Sequence, residues 1–231
     1  MRCTTTNYDL IYSPWMKDPD TLLSLAEYDP VKHSLLDLCG GTGAVAHTAL
    51  TQRYDATGAY AGPPVVLMDL NPRQQDWIRA AHIKESQHDL NVGPWPLRLE
   101  VPFDKVICRQ ALGYIRSLDD FFFRVFLYVS PTSCFVFNTF SQPPILRRKN
   151  FEYGGYTYRE FGVFLFGRIL HVQEVSLPRE NGSTQRLRDV SFFRYHSKAK
   201  IERALRLHWD FEVRVKGKSL QYICHPKTAG N

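Results

Sequence analysis

The sequence predicts an α/β fold with a mostly parallel sheet, helices on both faces and an antiparallel hairpin at the end. Short apolar runs at residues 34–39, 65–69 and 103–108 are separated by helix-length segments, a spacing typical of right-handed βαβ units. The glycine-rich turn Gly40–Gly43 joins the first run to a helix of small residues. A hairpin pattern around Gly217 closes the chain, and we expect its strands to complete the same sheet.

The composition fits a compact protein with a buried core. Of its 231 residues, 44% are hydrophobic and 13% aromatic, which excludes global disorder. The five cysteines are dispersed and odd in number, which favours reduced thiols over a disulfide framework or a zinc site. There is no apolar run of about 20 residues and no secretory signal pattern at the N-terminus. We therefore expect a cytoplasmic protein without a membrane partner.

The elements of the core are expected in a regular order. Residues 1–30 are expected to form a helical cover, with a helix within 7–28, and residues 31–140 the central part of the core. Residues 197–231 are expected to complete its sheet. In chain order, the predicted core elements are a strand at 34–39, a helix at 44–53, a loop at 51–64, a strand at 65–69, a helix at 72–84, a short strand or exit loop at 87–91, a strand at 103–108, a helix at 118–129, a strand at 133–140, a helix at 198–208 capped by Ser197, and a hairpin at 211–224.

The pattern changes after the prolines at 143 and 144. Polar and apolar residues alternate over 153–177, which predicts two or three antiparallel strands. Asn181–Gly182 is a strong hairpin signal. We therefore interpret residues 141–196 as an inserted antiparallel region that recognises the substrate.

Positive charge is concentrated in the second part of the chain. Residues 1–146 carry a net charge of −3, whereas residues 147–231 carry +9. Such a region attracts an anionic substrate or a nucleic acid, or is simply a solvated basic surface. The insert also combines aromatic residues with arginines, and we expect Tyr156 and Arg159 to bind the acceptor. The combination suits an aromatic or anionic small molecule, and also single-stranded RNA.

Two of the predicted strands end in a carboxylate, which indicates a pocket for an adenosine-bearing cofactor. Asp37 closes the first strand just before the glycine turn, and Asp69 closes the second. Residues 41–46 also fit the G-x-G-x-x-A form of the dinucleotide fingerprint, so an NAD(P)-linked oxidoreductase is one alternative. Against it, Asp37 would repel a bound pyrophosphate, and nothing in the chain resembles a second mononucleotide-binding half.

The order of motifs resembles the class I S-adenosylmethionine-dependent methyltransferases, in particular the small-molecule members with an inserted antiparallel cap. Residues 36–43 (LDLCGGTG) are similar to that family's first motif, 66–72 to its second, 88–90 to its third and 103–115 to its fourth. One departure is Cys39, which stands where the family usually has its first glycine. The resemblance implies a Rossmann-like fold with a seven-stranded sheet and S-adenosyl-L-methionine as the cofactor.

The resemblance also implies roles for single residues, each with a physical reason. This cofactor has no phosphate, so the turn at Gly41 and Gly43 makes room for its methionine part. Asp69 would accept hydrogen bonds from both ribose hydroxyls, and Asp89 one from the adenine amino group. Tyrosine faces near the sulfonium would attract its positive charge. The predicted cofactor-binding residues are Tyr12, Asp37, Gly41, Gly43, Asp69, Leu70, Asp89, Leu90 and Arg109; the predicted substrate-binding residues are Tyr114, Tyr156 and Arg159.

Methyl transfer from a sulfonium is an in-line displacement in which alignment contributes most of the acceleration and a dedicated base is optional. Where an acceptor proton must leave, His171 and His196 are the candidate catalytic residues. We predict no metal. Methylation of exocyclic base amines is disfavoured, because Cys108–Ala111 replaces the Asn/Asp-Pro-Pro-aromatic tetrapeptide that the resemblance requires for it. We therefore expect an N or O atom of a small molecule as the acceptor; the alternatives are an RNA methyltransferase, the oxidoreductase and a non-catalytic cofactor-binding partner subunit.

Overall fold

The structure is a computed structural model that describes residues 19–70, 82–96, 102–143, 147–179 and 182–228. The chain divides into two compact units, which are described separately. The described residues of the larger unit, the core, lie within 19–141 and 196–228. Those of the smaller unit lie within 142–195.

The core is built on a seven-stranded sheet in the order β10-β11-β5-β4-β1-β2-β3. Its first five strands along the chain pair in parallel, while β11 pairs antiparallel with β5 and with β10. The predicted fold class is thereby confirmed. The strands are β1 (Leu35–Leu38), β2 (Val65–Asp69), β3 (Ile83–Gln87), β4 (Phe103–Cys108), β5 (Val129–Phe140), β10 (Trp209–Lys216) and β11 (Ser219–Pro226).

Helices and apolar side chains cover both faces of this sheet. Alternate residues of β1 illustrate this, because Leu36 and Leu38 belong to one buried apolar cluster and Leu35 to another. Ser197 caps the last helix, as predicted, by accepting a hydrogen bond from the backbone N–H of Lys200. Among the described residues, none of the helices has the length and apolar character needed to cross a bilayer. The helices are α1 (Pro19–Leu25), α2 (Ala44–Thr57), a 3₁₀ turn (Leu112–Tyr114), α3 (Leu118–Leu127) and α4 (Lys198–Leu205).

The smaller unit is a four-stranded antiparallel sheet in the order β6-β7-β8-β9. Its strands are β6 (Arg147–Tyr153), β7 (Tyr156–Leu165), β8 (Arg168–Pro178) and β9 (Thr184–Arg194). The sheet is larger than the two or three strands predicted, since it begins at Arg147 and continues to Arg194. Gly182, with a φ of +77°, lies in the turn between β8 and β9 where a hairpin was predicted.

Several helix predictions differ from the structure in their bounds; the helix predicted at 118–129, for example, ends at Leu127, and Val129 begins β5. The helix predicted at 44–53 continues to Thr57 and ends at Gly58, whose left-handed φ of +71° suits a helix C-terminus. The helix predicted at 72–84 lies mostly outside the described residues, but its last two positions belong to β3. This strand is polar and half-exposed, so its sequence lacks an apolar alternation, and its pairing with β2 determines its conformation. The predicted N-terminal helix is described only from Pro19 onward.

Candidate functional site

The candidate site is the crevice at the carboxyl ends of β1, β2 and β4. β1 lies between β2 and β4 in the sheet. The chain continues from β1 to β2 and β3 on one side of β1 and later adds β4 on its other side, so the strand order reverses at β1. Ligands of open parallel sheets bind at such a switch point, outside the strand ends. The glycine turn after β1 and Asp69 at the end of β2 both lie here.

The turn after β1 is held in a conformation that favours glycine. Gly41 and Gly43 have φ values of +59° and +80°, and Gly43 precedes the first residue of α2. A Cβ at Gly41 would meet no atom of the described residues within 4 Å, so among them this glycine borders open space. Gly40 is different, because a Cβ there would lie 2.1 Å from Leu67 Cδ1 and 2.6 Å from Asp37 Oδ2. The turn is therefore packed on its inner side and open on its outer side.

Asp69 connects the ends of β1 and β2. Its Oδ2 accepts a hydrogen bond of 3.0 Å from the backbone N–H of Gly41. The backbone N–H of Cys39 also donates to the carbonyl of Met68 at 2.8 Å, which continues the pairing of the two strands into the turn. The half-buried carboxylate is thus fixed beside the open side of the turn, where it can accept hydrogen bonds from a sugar.

Asp37 is fully buried beneath the turn. Its Oδ2 accepts a hydrogen bond of 3.2 Å from the backbone N–H of Ala46 in the first turn of α2. Among the residues that the structure describes, no partner donates to its Oδ1. Burial raises the pKa of this carboxyl to about 7, although Arg109 and the Ala46 N–H favour the charged form. A second hydrogen-bond donor at the site would therefore stabilise the ionised form.

The end of β4 has features that the sequence did not reveal. Gln110 is a non-glycine residue with a φ of +51°, and Asn138 Oδ1 accepts a hydrogen bond of 2.7 Å from its backbone N–H. Cys39, with a φ of +54°, also adopts the left-handed region. The neighbouring thiol of Cys108, together with burial, raises the pKa of Cys39. Two residues in unfavourable conformations therefore border the crevice, a pattern common at functional sites.

The predicted adenine-binding residues follow β2 and β3. Leu70 is exposed, whereas Leu90 is buried in the apolar core. Asp89 Oδ1 accepts the backbone N–H of Asn91 at 2.9 Å, and this hydrogen bond lowers the pKa of Asp89. Asn91 also donates to the carbonyl of Tyr114 at 3.2 Å, which joins this loop to the 3₁₀ turn after β4. The roles of Leu70, Asp89 and Leu90 remain predictions, and that of Tyr12 concerns a residue outside the described ranges.

The two candidate catalytic histidines lie in different units. His196 belongs to the core, is buried, and its Nε2 lies 3.1 Å from the carbonyl oxygen of Ile115. His171 lies on β8 of the smaller unit, with its Nε2 3.1 Å from Glu160 Oε1 on the neighbouring strand. Within the described part of the chain, no three metal-ligating side chains form a cluster.

The predicted substrate-binding residues are also divided between the units. Tyr114 is half-exposed at the end of the 3₁₀ turn in the core. Tyr156 lies in β7 and packs against an apolar cluster around Tyr158. Arg159, also in β7, lies 3.6 Å from Glu174 of β8. Their role in binding an acceptor remains a prediction.

The sheet order, the glycine turn after β1 and the acid after β2 are those of a Rossmann-like α/β fold with a crevice for an adenosine-bearing cofactor. The model of the methyltransferase domain family matches residues 14–212, and the chain belongs to this family. No curated protein matches the chain in sequence. Membership of this family identifies S-adenosylmethionine, and not NAD(P), as the adenosine-bearing cofactor.

Solved structures share the fold at low sequence identity. The chain is similar to DesVI of Streptomyces venezuelae, with 17% identity over 98% of this chain and 100% of that chain and a TM-score of 0.71. It is similar to the sugar N-methyltransferase KedS8 of a Streptoalloteichus species (14% identity, 96% and 93% covered, TM-score 0.67). It is also similar to CalS10, an amino pentose methyltransferase of Micromonospora echinaspora solved with S-adenosylmethionine (14% identity, 93% and 91% covered, TM-score 0.64).

As a member of this methyltransferase family the chain has S-adenosylmethionine as its cofactor, and the residues at the crevice fit it. The open side of Gly41 leaves room for a ligand against the backbone. The buried Oδ1 of Asp37 has the capacity to accept a further hydrogen bond. These are features that a cationic nucleoside with hydroxyl and amino groups can satisfy.

Proposed function

We propose that this methyltransferase acts on an N or O atom of a small molecule. The observation that carries the proposal is the pair formed by His171 and Glu160, 3.1 Å apart on adjacent strands. When Nε2 of His171 donates to the carboxylate, its Nδ1 is left as a proton acceptor. An ammonium or hydroxyl acceptor must lose a proton before or during methylation, and an imidazole held by a carboxylate suits that role. Two proteins of the same fold are named as sugar and amino pentose methyltransferases, which supports an acceptor of this kind.

In this proposal the residues of the crevice bind and orient the donor. When bound, S-adenosylmethionine supplies an electrophilic methyl group with a good leaving group. Asp69 accepts from the ribose, and the amides at the start of α2 approach the carboxylate of the methionine part. Asp89 and Leu70 contribute to adenine binding, with Leu90 supporting the loop from the core. Arg109 balances the charge of Asp37, and Tyr114 and Tyr156 contribute to acceptor binding.

The first test is calorimetry with S-adenosylhomocysteine, followed by transfer of a labelled methyl group to a small-molecule extract and, separately, to RNA. We expect binding with a stoichiometry of one and labelled products in the small-molecule fraction. Label in RNA alone would overturn the acceptor class in favour of the RNA alternative. Binding without any labelled product would favour a non-catalytic partner subunit.

A second test concerns the proposed base. Once an acceptor is found, His171→Gln is expected to lower kcat by about 100-fold or more, the usual contribution of acid–base catalysis. Glu160→Gln keeps a hydrogen-bond acceptor but removes the charge, so a smaller loss is expected. His196→Gln serves as the comparison, since His196 is engaged with a backbone carbonyl. Equal kcat values for wild type and His171→Gln would show that alignment alone supports transfer.

A further inference from the structure

The four-stranded sheet has two chemically different faces. Residues paired across neighbouring strands project to the same side, and successive residues of a strand alternate. On one side lie buried or half-buried residues, among them Tyr158 of β7 and its partner Val175 of β8. On the other side the register brings together six exposed arginines, which we call the arginine face: Arg148, Arg159, Arg168, Arg186, Arg188 and Arg194.

The positive charge of this face is only partly balanced. Glu174 lies between Arg159 and Arg188, at 3.6 Å and 2.8 Å, and pairs with both. For the other four arginines, the described residues include no carboxylate within ion-pair distance. All cationic side chains on the described part of the arginine face are arginines. Arginine binds phosphate in a bidentate manner and stacks on planar rings better than lysine does.

Aromatic rings lie on the same face and at its edge. Phe161 and Phe192 are exposed, the latter by 55%, and the guanidinium carbon of Arg168 lies 5.2 Å from the ring centre of Phe192. The turn between β7 and β8 consists of Phe166 and Gly167, with φ values of +49° and +76°. Such turns favour Asn-Gly, so a phenylalanine there is in an unfavourable conformation, and its ring is fully exposed.

We propose that the arginine face, with Phe161, Phe166 and Phe192, binds single-stranded nucleic acid. Unpaired bases stack on exposed aromatic rings and on guanidinium planes, and a four-stranded antiparallel sheet is a known platform for such stacking. The arginines would contact the phosphates. Along β9 five alternate residues from Arg186 to Arg194 face outward in one extended row; four are cations or an aromatic ring, and the fifth is Val190. An extended strand of nucleotides matches this row in shape and in charge.

Other occupants fit the face less well. A second copy of the chain in symmetric contact would bring two arginine faces together, and like charges repel. An anionic membrane would attract the arginines, but it gives no reason for a guanidinium that already lies over an aromatic ring within the sheet. The proposal does not depend on the proposed acceptor, because binding is measured without the methyl donor.

The test is fluorescence anisotropy with the full chain and labelled RNA or DNA single strands of about 12 nucleotides, beside a duplex of the same length. Single strands are expected to bind more tightly than the duplex. The plot of log affinity against log salt concentration should have a slope of about −3, as expected for four phosphate contacts. The affinities for the RNA and the DNA single strands show whether ribose or deoxyribose is preferred.

Two variants separate charge from stacking. The double variant Arg168→Gln/Arg194→Gln should weaken binding by about ten-fold and roughly halve the slope of log affinity against log salt concentration. Phe192→Ala should weaken binding by about ten-fold with the slope unchanged. The matched control is Arg203→Gln with Arg206→Gln, which removes two exposed arginines of the core and should leave the affinity nearly unchanged. Retained S-adenosylhomocysteine binding would show that each variant is folded.

Three results would overturn the proposal. One is equal affinity for duplex and single strands with no effect of Phe192→Ala, which indicates general polyanion attraction. Another is binding to phosphatidylserine vesicles without binding to either single strand. The third is a dimer in light scattering that Phe192→Ala dissociates, which would mean that a second copy covers this face.

Discussion

Gly41 donates its backbone N–H to Oδ2 of Asp69, and this 3.0 Å hydrogen bond joins the ends of β1 and β2. One carboxylate therefore shapes the glycine turn and also borders the cofactor crevice. The relationship explains how two residues that are 28 positions apart act in one site. It also means that replacing Asp69 affects both the ligand contacts and the turn.

Asp69→Ala is expected to weaken S-adenosylhomocysteine binding by about 1.5–3 kcal/mol, because hydrogen bonds to a charged acceptor are lost. Asp69→Asn should lose less, since its amide oxygen can still accept the N–H of Gly41. Calorimetry on the two variants and on Asp55→Ala, an exposed acid of α2, provides the measurement and its control. An unchanged dissociation constant for Asp69→Ala would contradict its assignment to the site.

The sequence was sufficient for those parts of the fold where apolar runs coincide with buried strands. β2 and β4 were predicted at the residues where they are observed, because central parallel strands are apolar on both faces. β3 was predicted too late, as a short strand or exit loop at 87–91, since an edge strand with the sequence IKESQ owes its conformation to pairing with β2. β6 and β9 were missed in part, because their exposed sides are rich in arginine and interrupt the apolar pattern.

The site was predictable where it depends on strand ends and not where it depends on tertiary contacts. Asp37, Gly41 and Asp69 meet because parallel strands end at one edge of the sheet. The hydrogen bond from Gln110 to Asn138 joins the ends of β4 and β5, and nothing in the local sequence indicates it. The tight packing of Gly40 likewise depends on Leu67 of a different strand.

Gly40→Ala is expected to destabilise the fold by about 1–3 kcal/mol, the usual cost of overpacking. Its new methyl group would lie 2.1 Å from Leu67 Cδ1 and 2.6 Å from Asp37 Oδ2, and both side chains are fully buried. Urea denaturation measures the change in the free energy of unfolding. Gly58→Ala is the control, since no atom in the described part of the chain lies within 4 Å of that Cβ, while its left-handed φ disfavours alanine. A smaller loss for Gly40→Ala than for Gly58→Ala would contradict the packing argument.

Cys39 occupies a left-handed conformation that favours glycine. Cys39→Gly is therefore expected to be more stable than Cys39→Ala by about 1 kcal/mol, because both lose the thiol but only alanine keeps the unfavourable contact of its Cβ. Cys134, inside β5, is the matched comparison. There the order should reverse, since glycine weakens a strand. Urea denaturation of the four variants tests this, and the same order at both positions would count against the conformational explanation.

Asp37→Asn is expected to change how stability depends on pH. Burial raises the pKa of Asp37 to about 7 in the fold, whereas the unfolded carboxyl loses its proton near pH 4. Between these values the folded state binds more protons, so the contribution of Asp37 to stability falls as pH rises from about 4 to about 7 and then stays constant. The asparagine variant lacks this loss and keeps an oxygen to accept the N–H of Ala46.

The measured quantity is the free energy of unfolding of Asp37→Asn minus that of the wild type, from urea denaturation at several pH values. Taking the difference cancels the free-energy contributions of the groups that titrate alike in both proteins. It should become more positive with rising pH, by an amount on the order of 4 kcal/mol between about pH 4 and pH 8. A difference that does not vary with pH would mean that Asp37 ionises in the fold as readily as in water, and that its buried oxygen is satisfied by a donor.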